Sequence, residues 1–346
     1  MTRSVGFVIC SIVLVIGFTL NGQTRNSEYS IVSKIHLGGA GGWDYLSVDE
    51  GGGRLFVSHS TVVMVVDLKT GQLVGTINET PGVHGIALAP DLNKAFISVG
   101  KSGTVKVINM QTLALIAEVK ITGQNPDAIF YDQFSKKVFT FNGGSSNASV
   151  LDAVSNEVVG TIPLEGKPEF PASDGKGKLY VNIEDKSLIS VIDVKTMKVE
   201  KSWSIAPGEE PSGLALDNET HRLFSVCSNK LMVVVDANDG HIVTTLPIGE
   251  GCDGVKFDPE MKRAYSSNGE GTMTVVQETD KDNFKVLENV ITVSGARTLA
   301  IDTKTHHIYL PSAEYNPTPE ATTENPRPRR TMKPDSFFVL DIAPVK

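Results

Sequence analysis

A hairpin-like pattern recurs along this chain and constrains its fold more than any other feature. The clearest copy, residues 191–200, reads VIDVKTMKVE, and further copies begin at residues 65, 107, 150 and 234. Each copy has an apolar strand, an Asp or Asn, a polar turn and a second apolar strand, which is the signature of a β-hairpin. Repetition at a regular spacing outweighs any single motif when a fold is predicted.

An apolar segment lies upstream of the hairpin in each unit, and its seven copies give the period of the repeat. Their first residues are 40, 43, 42, 43, 41 and 44 positions apart: Asp44, His84, Asp127, Glu169, Ser212, Asp253 and Arg297. The second strand of every unit also carries an aromatic residue at one place, which we expect to pack between units. A period in this range with about four strands per unit is typical of a β-propeller blade. The sequence therefore predicts an all-β protein, a β-propeller with seven four-stranded blades.

The two ends of the chain suggest how the ring closes. The last unit ends with FFVLD at residues 337–341 and leaves no residues for an outer strand, while an orphan apolar strand, residues 29–37, precedes the first unit. We expect this N-terminal strand to complete the last blade, because that removes an exposed sheet edge. The prediction is one domain over residues 29–343, with a Pro-rich insertion loop at 312–336 in its last blade.

The first 23 residues have the character of a secretory signal peptide. Arg3 is followed by an apolar run to Leu20 that is short for a bilayer span. We therefore expect a periplasmic or secreted protein without a membrane span after cleavage; an uncleaved anchor is the alternative. The net charge of −8 disfavours double-stranded nucleic acid as a partner, and we expect a monomer.

The mature chain would keep two cysteines in an oxidising compartment. Cys227 and Cys252 come from adjacent units and should lie on the same face of the disc. A single disulfide and a pair of buried free thiols are both compatible with this pattern.

Several segments carry a family resemblance. GKP at residues 166–168, LYVN at 179–182 and VID at 191–193 resemble the repeat of the YncE-like, or YVTN-repeat, seven-bladed propellers of bacteria, which belong to the WD40-like superfamily. The likeness covers essentially the whole mature chain and implies the propeller fold. It leaves the function open, because this group includes exported proteins of unknown role, a proposed single-stranded DNA binder and relatives among lyases and lactonases.

Two columns of residues are predicted to ring one mouth of the central channel, because inner strands start and second strands end on the same face of a propeller. The second column contributes His59, Asn142 and Asn268, and the insertion contributes Glu314 and Tyr315. The remaining predicted ligand-binding residues are the charged members of the first column: Asp44, His84, Asp127, Glu169, Asp253 and Arg297.

Four carboxylates around one axis would repel one another. They belong to Asp44, Asp127, Glu169 and Asp253. Either their pKa values rise, or a cation or Arg297 neutralises them. The oxygen ligands suit Ca²⁺ or Mg²⁺, and His59 with His84 would also permit a transition metal. A water-filled mouth with solvated charges is the alternative.

Three functions are compatible with this pattern. The first is an exported, non-catalytic binding protein that recognises a small molecule, peptide or partner protein at the polar mouth. The second is a divalent-cation-dependent enzyme of the lactonase or lyase kind, with His84 as its general base. The third is a single-stranded DNA binder, for which Arg327, Arg329 and Arg330 offer a local basic contact.

Overall fold

A ring of seven antiparallel sheets forms the molecule, as the repeat predicted. The structure is a computed structural model that describes residue 1 and residues 27–323 and 328–345. The predicted signal peptide, Met1 aside, lies outside the described residues, and so does Arg327. No helix in the described part of the chain is long and apolar enough to cross a membrane.

Each sheet has four strands, and the strands follow the chain from the channel outwards. Blade 1 has β2 (Trp43–Asp49), β3 (Arg54–His59), β4 (Val62–Asp67) and β5 (Gln72–Ile77), and blade 2 has β6 (Val83–Ala89), β7 (Lys94–Val99), β8 (Thr104–Asn109) and β9 (Leu115–Lys120). Blade 3 has β10 (Pro126–Asp132), β11 (Lys137–Asn142), β12 (Asn147–Asp152) and β13 (Val158–Pro163), and blade 4 has β14 (Pro168–Ser173), β15 (Lys178–Ile183), β16 (Leu188–Asp193) and β17 (Lys198–Ser204).

The remaining three blades repeat this order, except that the last one borrows its outer strand. Blade 5 has β18 (Pro211–Asp217), β19 (Arg222–Cys227), β20 (Leu231–Asp236) and β21 (Ile242–Pro247), and blade 6 has β22 (Cys252–Asp258), β23 (Arg263–Asn268), β24 (Thr272–Asp280) and β25 (Asn283–Ile291). Blade 7 has β26 (Ala300–Asp302), β27 (His307–Ser312), β28 (Phe338–Pro344) and β1 (Tyr29–His36).

The closure of the ring follows the prediction. Strand β1 pairs antiparallel with β28, with Ile35 opposite Val339. The hydroxyl of Tyr29, which is 1% exposed, lies 2.8 Å from that of Tyr265 in blade 6. The first strand therefore completes blade 7 and also packs against its neighbour.

The recurring Asp or Asn of the hairpin builds the turn between the third and fourth strands. In blade 4, the Asp193 carboxylate accepts hydrogen bonds from the Thr196 backbone N–H at 2.8 Å and from its hydroxyl at 3.0 Å. The carboxylate of Asp67 accepts the same pair of bonds from Thr70. Short polar side chains favour turns because they bond the backbone in this way. The turn thus explains the Asp-x-x-Thr spacing in the repeat.

The core lies between the blades, where the recurring aromatic residues meet. These residues of the second strands are at most 5% exposed: Phe56, Phe96, Phe139, Tyr180, Phe224, Tyr265 and Tyr309. Phe56, for example, packs among apolar residues of blade 2 such as Ile86 and Ile97. Complete burial of one such ring contributes roughly 2–3 kcal/mol, so this column holds the disc together, as expected.

Candidate functional site

The residues that open the inner strands lie at interruptions of the sheet ladder. In blade 1, the pairing of β2 with β3 shifts register between Trp43 and Leu46, so Asp44 lies inside the shift. Equivalent shifts contain His84 and Asp127 in blades 2 and 3. A β-bulge releases a residue from the ladder and redirects its side chain. The repeated irregularity therefore accounts for a ring of side chains at one end of the channel.

This ring, which we call the acidic mouth, brings the charged members of the first column together: Asp44, His84, Asp127, Glu169, Asp253 and Arg297. The His84 Nδ1 atom lies 2.7 Å from Asp44 Oδ2 and 3.6 Å from Asp127 Oδ1. Ser212, the uncharged member of the first column, differs from these residues because its hydroxyl donates to the backbone carbonyl of Cys252 at 3.1 Å.

Two of the four carboxylates have their own cation. Arg297 Nε donates to Asp253 Oδ2 at 2.8 Å, and its Nη2 lies 3.8 Å from Asp44 Oδ1. Lys167 Nζ lies 2.7 Å from Glu169 Oε1 and also pairs with Glu184. The spacing of the repeat did not single out Lys167 and Glu184. Asp44 thus lies near both Arg297 and His84, whereas Asp127 pairs with His84 alone.

Buried hydroxyl groups hold the backbone of the mouth in place. Ser98 Oγ accepts from the Gly85 N–H at 2.8 Å and donates to the Asp127 carbonyl at 2.6 Å. Thr298 Oγ1 donates to the Asp44 carbonyl at 2.7 Å. Because each hydroxyl comes from a neighbouring blade, the ring of charges is fixed by contacts between blades.

Burial, together with the crowding of charge, raises the pKa values of the acids, as predicted. Burial, followed by the charge of Asp44, raises the pKa of Asp127 to about 7. Burial and the charge of Asp127 raise the pKa of Glu169 to about 8. Burial also raises the pKa of Asp253, although Arg297 opposes the shift. Both predicted outcomes, raised pKa values and neutralisation by Arg297, therefore occur in one ring.

The pKa of His84 is raised as well, which for an imidazole favours the charged form. Burial disfavours its imidazolium form, but the hydrogen bond to Asp44 and the charge of Asp127 outweigh burial and raise the pKa of His84. The imidazole is thereby biased towards its charged state.

One carboxylate oxygen in the mouth has no hydrogen-bond partner. Asp127 Oδ1 is buried, and none of the described residues donates a hydrogen bond to it. Ligand atoms of Asp44, His84 and Asp127 lie within 4.8 Å of one another, an arrangement able to hold a metal ion. Buried polar atoms are nearly always satisfied in folded proteins, so this oxygen indicates a place for a cation or a donor.

The set of candidate metal ligands differs from the four carboxylates predicted from the sequence. Glu169 and Asp253 are engaged by Lys167 and Arg297, so the candidate ligands are Asp44, Asp127 and His84. An imidazole with two carboxylates suits a transition metal at least as well as Ca²⁺ or Mg²⁺.

His59 does not line the mouth, which corrects the prediction for this residue. It is 2% exposed, and its ring stacks on Phe337 with 4.1 Å between centroids. Burial lowers the pKa of His59. The residue ends β3 opposite Trp43, so it packs inside the disc.

Asn142 and Asn268 are corrected in the same way. Both are fully buried. The amide of Asn142 donates to Ser149 Oγ at 3.0 Å, and that of Asn268 donates to Thr274 Oγ1 at 3.0 Å. These amides tie second strands to third strands, so they hold the blades together.

The insertion flanks the mouth through one of its two predicted residues. Tyr315 lies beside Trp43, with 6.4 Å between ring centroids, and Arg330 lies 3.7 Å from the Tyr315 ring centroid. Glu314 instead pairs with Lys34 of the outermost strand at 3.1 Å, which takes it away from the channel. A cavity of about 300 Å³ opens here, lined in part by Trp43, Asp44, His84, Lys101 and Arg297.

The two cysteines are neighbours but do not form a disulfide. Of the two predicted states, the structure has the pair of buried free thiols. Both are free, buried thiols, and Cys252 Sγ donates to the Cys227 carbonyl at 3.1 Å. Burial raises the pKa of each thiol to about 12. Such thiols are protonated and inert at neutral pH.

Two aromatic rings form the floor of the acidic mouth. Tyr45 follows Asp44 and packs against Phe170, with 5.2 Å between ring centroids. Burial, together with the nearby charges of Asp127 and Asp253, raises the pKa of Tyr45 well above its usual value. The pair therefore adjoins the charged ring through Tyr45 and the rest of the channel through Phe170, whose ring centroid lies 4.2 Å from Lys256 Nζ.

Comparisons with known proteins agree with the architecture. No protein-family model matches the chain. A protein from Escherichia coli strain K12, described as uncharacterized protein YncE, is 24% identical over 162 residues, which cover 41% of this chain and 45% of that protein. Its namesake from Salmonella typhimurium strain LT2 is 22% identical over 264 residues, covering 72% of this chain and 63% of that protein. The matches thus span less than two thirds of either relative.

A solved structure shows the same fold. A chain of Kuenenia stuttgartiensis hydrazine synthase superposes with a TM-score of 0.66 at 16% identity, covering 90% of this chain and 98% of that chain. At this identity the likeness concerns the fold alone. The ring of seven four-stranded blades and the two weakly similar relatives together support a YncE-like β-propeller.

Proposed function

We propose that the chain is an exported, non-catalytic binding propeller whose acidic mouth takes up a small ligand through a cationic group. The observation that carries the proposal is Asp127 Oδ1, a buried carboxylate oxygen without a hydrogen-bond partner among the described residues. It lies beside Asp44 and His84 in a ring that already needs more positive charge than it has. A divalent cation, or an ammonium group on a small molecule or peptide, supplies that charge.

The electrostatics of the ring support a cationic ligand. Asp127 has only the His84 imidazole, which it shares with Asp44, as an ion-pair partner, and burial followed by the charge of Asp44 raises the pKa of Asp127 to about 7. A bound cation favours the ionised carboxylate, so binding releases a proton. Uptake by the mouth should therefore strengthen as the pH rises from 6 to 8.

A cation-dependent enzyme with His84 as its base is the second candidate, and one observation favours it. The hydrogen bond from His84 Nδ1 to Asp44 orients the imidazole, as a catalytic base requires. The raised pKa of His84 argues against it, because a protonated imidazole cannot accept a proton. Single-stranded DNA is less favoured still, since a ring of carboxylates repels phosphate.

Thermal unfolding in the presence of cations tests the proposal. The probes are CaCl₂, MgCl₂, MnCl₂, ZnCl₂ and putrescine, each added to wild type, to Asp127→Asn and to the control Glu320→Gln, whose side chain is exposed. We expect at least one probe to raise the Tm of wild type and of the control but not of Asp127→Asn. If no probe shifts the wild type, or if Asp127→Asn responds equally, the mouth is not a cation site.

Export rests on the apolar run that follows Arg3. We expect cell fractionation with intact-mass measurement to find a chain that lacks about 23 residues in the periplasm or the medium. A full-length chain in the cytoplasm contradicts this part of the proposal.

A further inference from the structure

A second cavity lies in the channel, beyond the aromatic floor of the acidic mouth. Its volume is about 280 Å³, and later residues of the inner strands line it. Most of the lining is apolar, including Leu46, Val48, Ile86, Ile129, Phe130 and Ile301. We call this cavity the lysine chamber, because Lys256 is the one ammonium group among its lining residues.

Lys256 stands out from the repeat that surrounds it. It is the fourth residue of its unit, and the same position in the other six units holds an uncharged residue: Ser47, Ala87, Phe130, Ala172, Ala215 and Ala300. The inner strands of the other six blades form without a charged residue at this position. Lys256 is therefore not required by the fold.

The Lys256 amine has an aromatic neighbour but no counter-ion. Its Nζ atom lies 4.2 Å from the centroid of the Phe170 ring, and it makes no hydrogen bond or ion pair with another described residue. Ser47 and Tyr131 are the other polar side chains of the lining. The Ser47 hydroxyl donates to the Ile86 carbonyl at 2.5 Å, and the Tyr131 hydroxyl donates to Asp91 at 3.0 Å.

Burial lowers the pKa of Lys256 to about 8, so the amine is mostly charged at neutral pH despite its surroundings. A half-buried ammonium group without an anion is costly. Tyr45 and Tyr131 are the other titratable residues that line the cavities around Lys256, and burial raises the pKa of both, so neither is ionised near pH 8. The missing anion must therefore come from outside the described residues.

We propose that the lysine chamber binds a small monoanion with an apolar body, whose carboxylate pairs with Lys256. The apolar lining accepts the body, and it disfavours a dianion such as phosphate, whose second charge would have no partner. The cavity is at the lower end of the range of about 300–1,000 Å³ for ligand pockets, so a ligand of octanoate size fits. The acidic mouth repels an anion, so entry is from the opposite end of the channel.

Three probes with one chain length and different head groups test the proposal by calorimetry at pH 7. They are octanoate, octanol and octylamine. We expect wild type to bind octanoate at least roughly tenfold more tightly than the other two probes. Lys256→Met should weaken octanoate binding roughly ten- to hundredfold and leave octanol binding unchanged. Lys256→Arg should keep the preference, and so should Lys176→Met, a matched control at an exposed lysine.

The pH dependence separates a binding role from a purely structural one. Above pH 8 the amine loses its proton, so the affinity for octanoate should fall roughly tenfold per pH unit while that for octanol stays constant. Asp127→Asn should still bind octanoate, which keeps this test independent of the cation proposal. Absence of octanoate binding by wild type, equal affinity for octanol, or unchanged binding by Lys256→Met overturns the inference.

Discussion

The acidic mouth and the lysine chamber lie along the same inner strands of the channel but differ in how charge is compensated. At the acidic mouth, bulged residues crowd four carboxylates around Arg297, Lys167 and His84. In the lysine chamber, only a few residues further along the strands, Lys256 is isolated among apolar groups. Tyr45 and Phe170 lie between the two regions. The comparison shows that one repeat can present two chemically distinct sites when only single positions differ between its copies.

The largest expected effect concerns the acids, whose folded pKa values lie above those of an unfolded chain. Asp127 and Glu169 titrate at about 7 and about 8 in the folded protein. Between about pH 4 and pH 8 the folded state therefore holds more protons, so the free energy of unfolding falls as the pH rises, by on the order of 9 kcal/mol for the two acids together. Urea denaturation of wild type and Asp127→Asn at pH 5 and pH 8 measures this. We expect the variant to lose about half of the pH dependence; an identical slope contradicts the account.

Lys256→Met should increase the free energy of unfolding, whereas ionisation of the two acids decreases it. The folded pKa of Lys256, about 8, lies below that of an unfolded lysine, so its charge opposes folding below pH 8 and the penalty fades between pH 8 and about pH 10. Removal of the charge should raise the free energy of unfolding by about 2 kcal/mol at pH 7. Denaturation at pH 7 and pH 10 checks this, with Lys176→Met as the control. A loss of stability at pH 7 would show that the contact with Phe170 outweighs burial.

The smallest expected effect concerns the scaffold of the mouth. Ser98→Ala removes the hydroxyl that links Gly85 to the Asp127 carbonyl and should cost about 1–2 kcal/mol of stability. Ser30→Ala, at an exposed position of the outermost strand, should change nothing measurable. Any cation-induced rise in Tm should also shrink in Ser98→Ala. If a cation raises the Tm of Ser98→Ala as much as that of wild type, the Ser98 hydroxyl is not needed to position the Asp127 backbone.

The sequence predicted the fold because the repeat specifies local structure and period together. Asp193 and Thr196 build a turn wherever the pattern occurs, and a constant period places equivalent residues at equivalent positions around a ring. Ring closure was predictable because residues 29–37 had no partner of their own. The contact between Tyr29 and Tyr265 was not predictable, since it joins residues far apart in the repeat.

The site was predictable only in part. The first column was found because its polarity contrasts with the apolar residues that follow it. His59 was misplaced because the end of a strand does not determine whether its side chain faces the channel or the neighbouring blade. Lys167 was missed because it lies two residues before Glu169, outside the compared column. Comparison of the fourth position of each unit would have found Lys256.

The pKa of the Asp127 carboxyl group is the most direct test of the central claim, that the mouth holds a buried acid in need of a cation. It can be measured by ¹³C NMR of protein labelled at the aspartate carboxyl carbons, with Asp127→Asn providing the assignment. We expect a value of about 7, which falls when a cation that stabilises the protein is added. A pKa of about 4 is ordinary for an aspartate. If Asp127 has that pKa and no cation changes it, the mouth does not hold a buried acid in need of a cation.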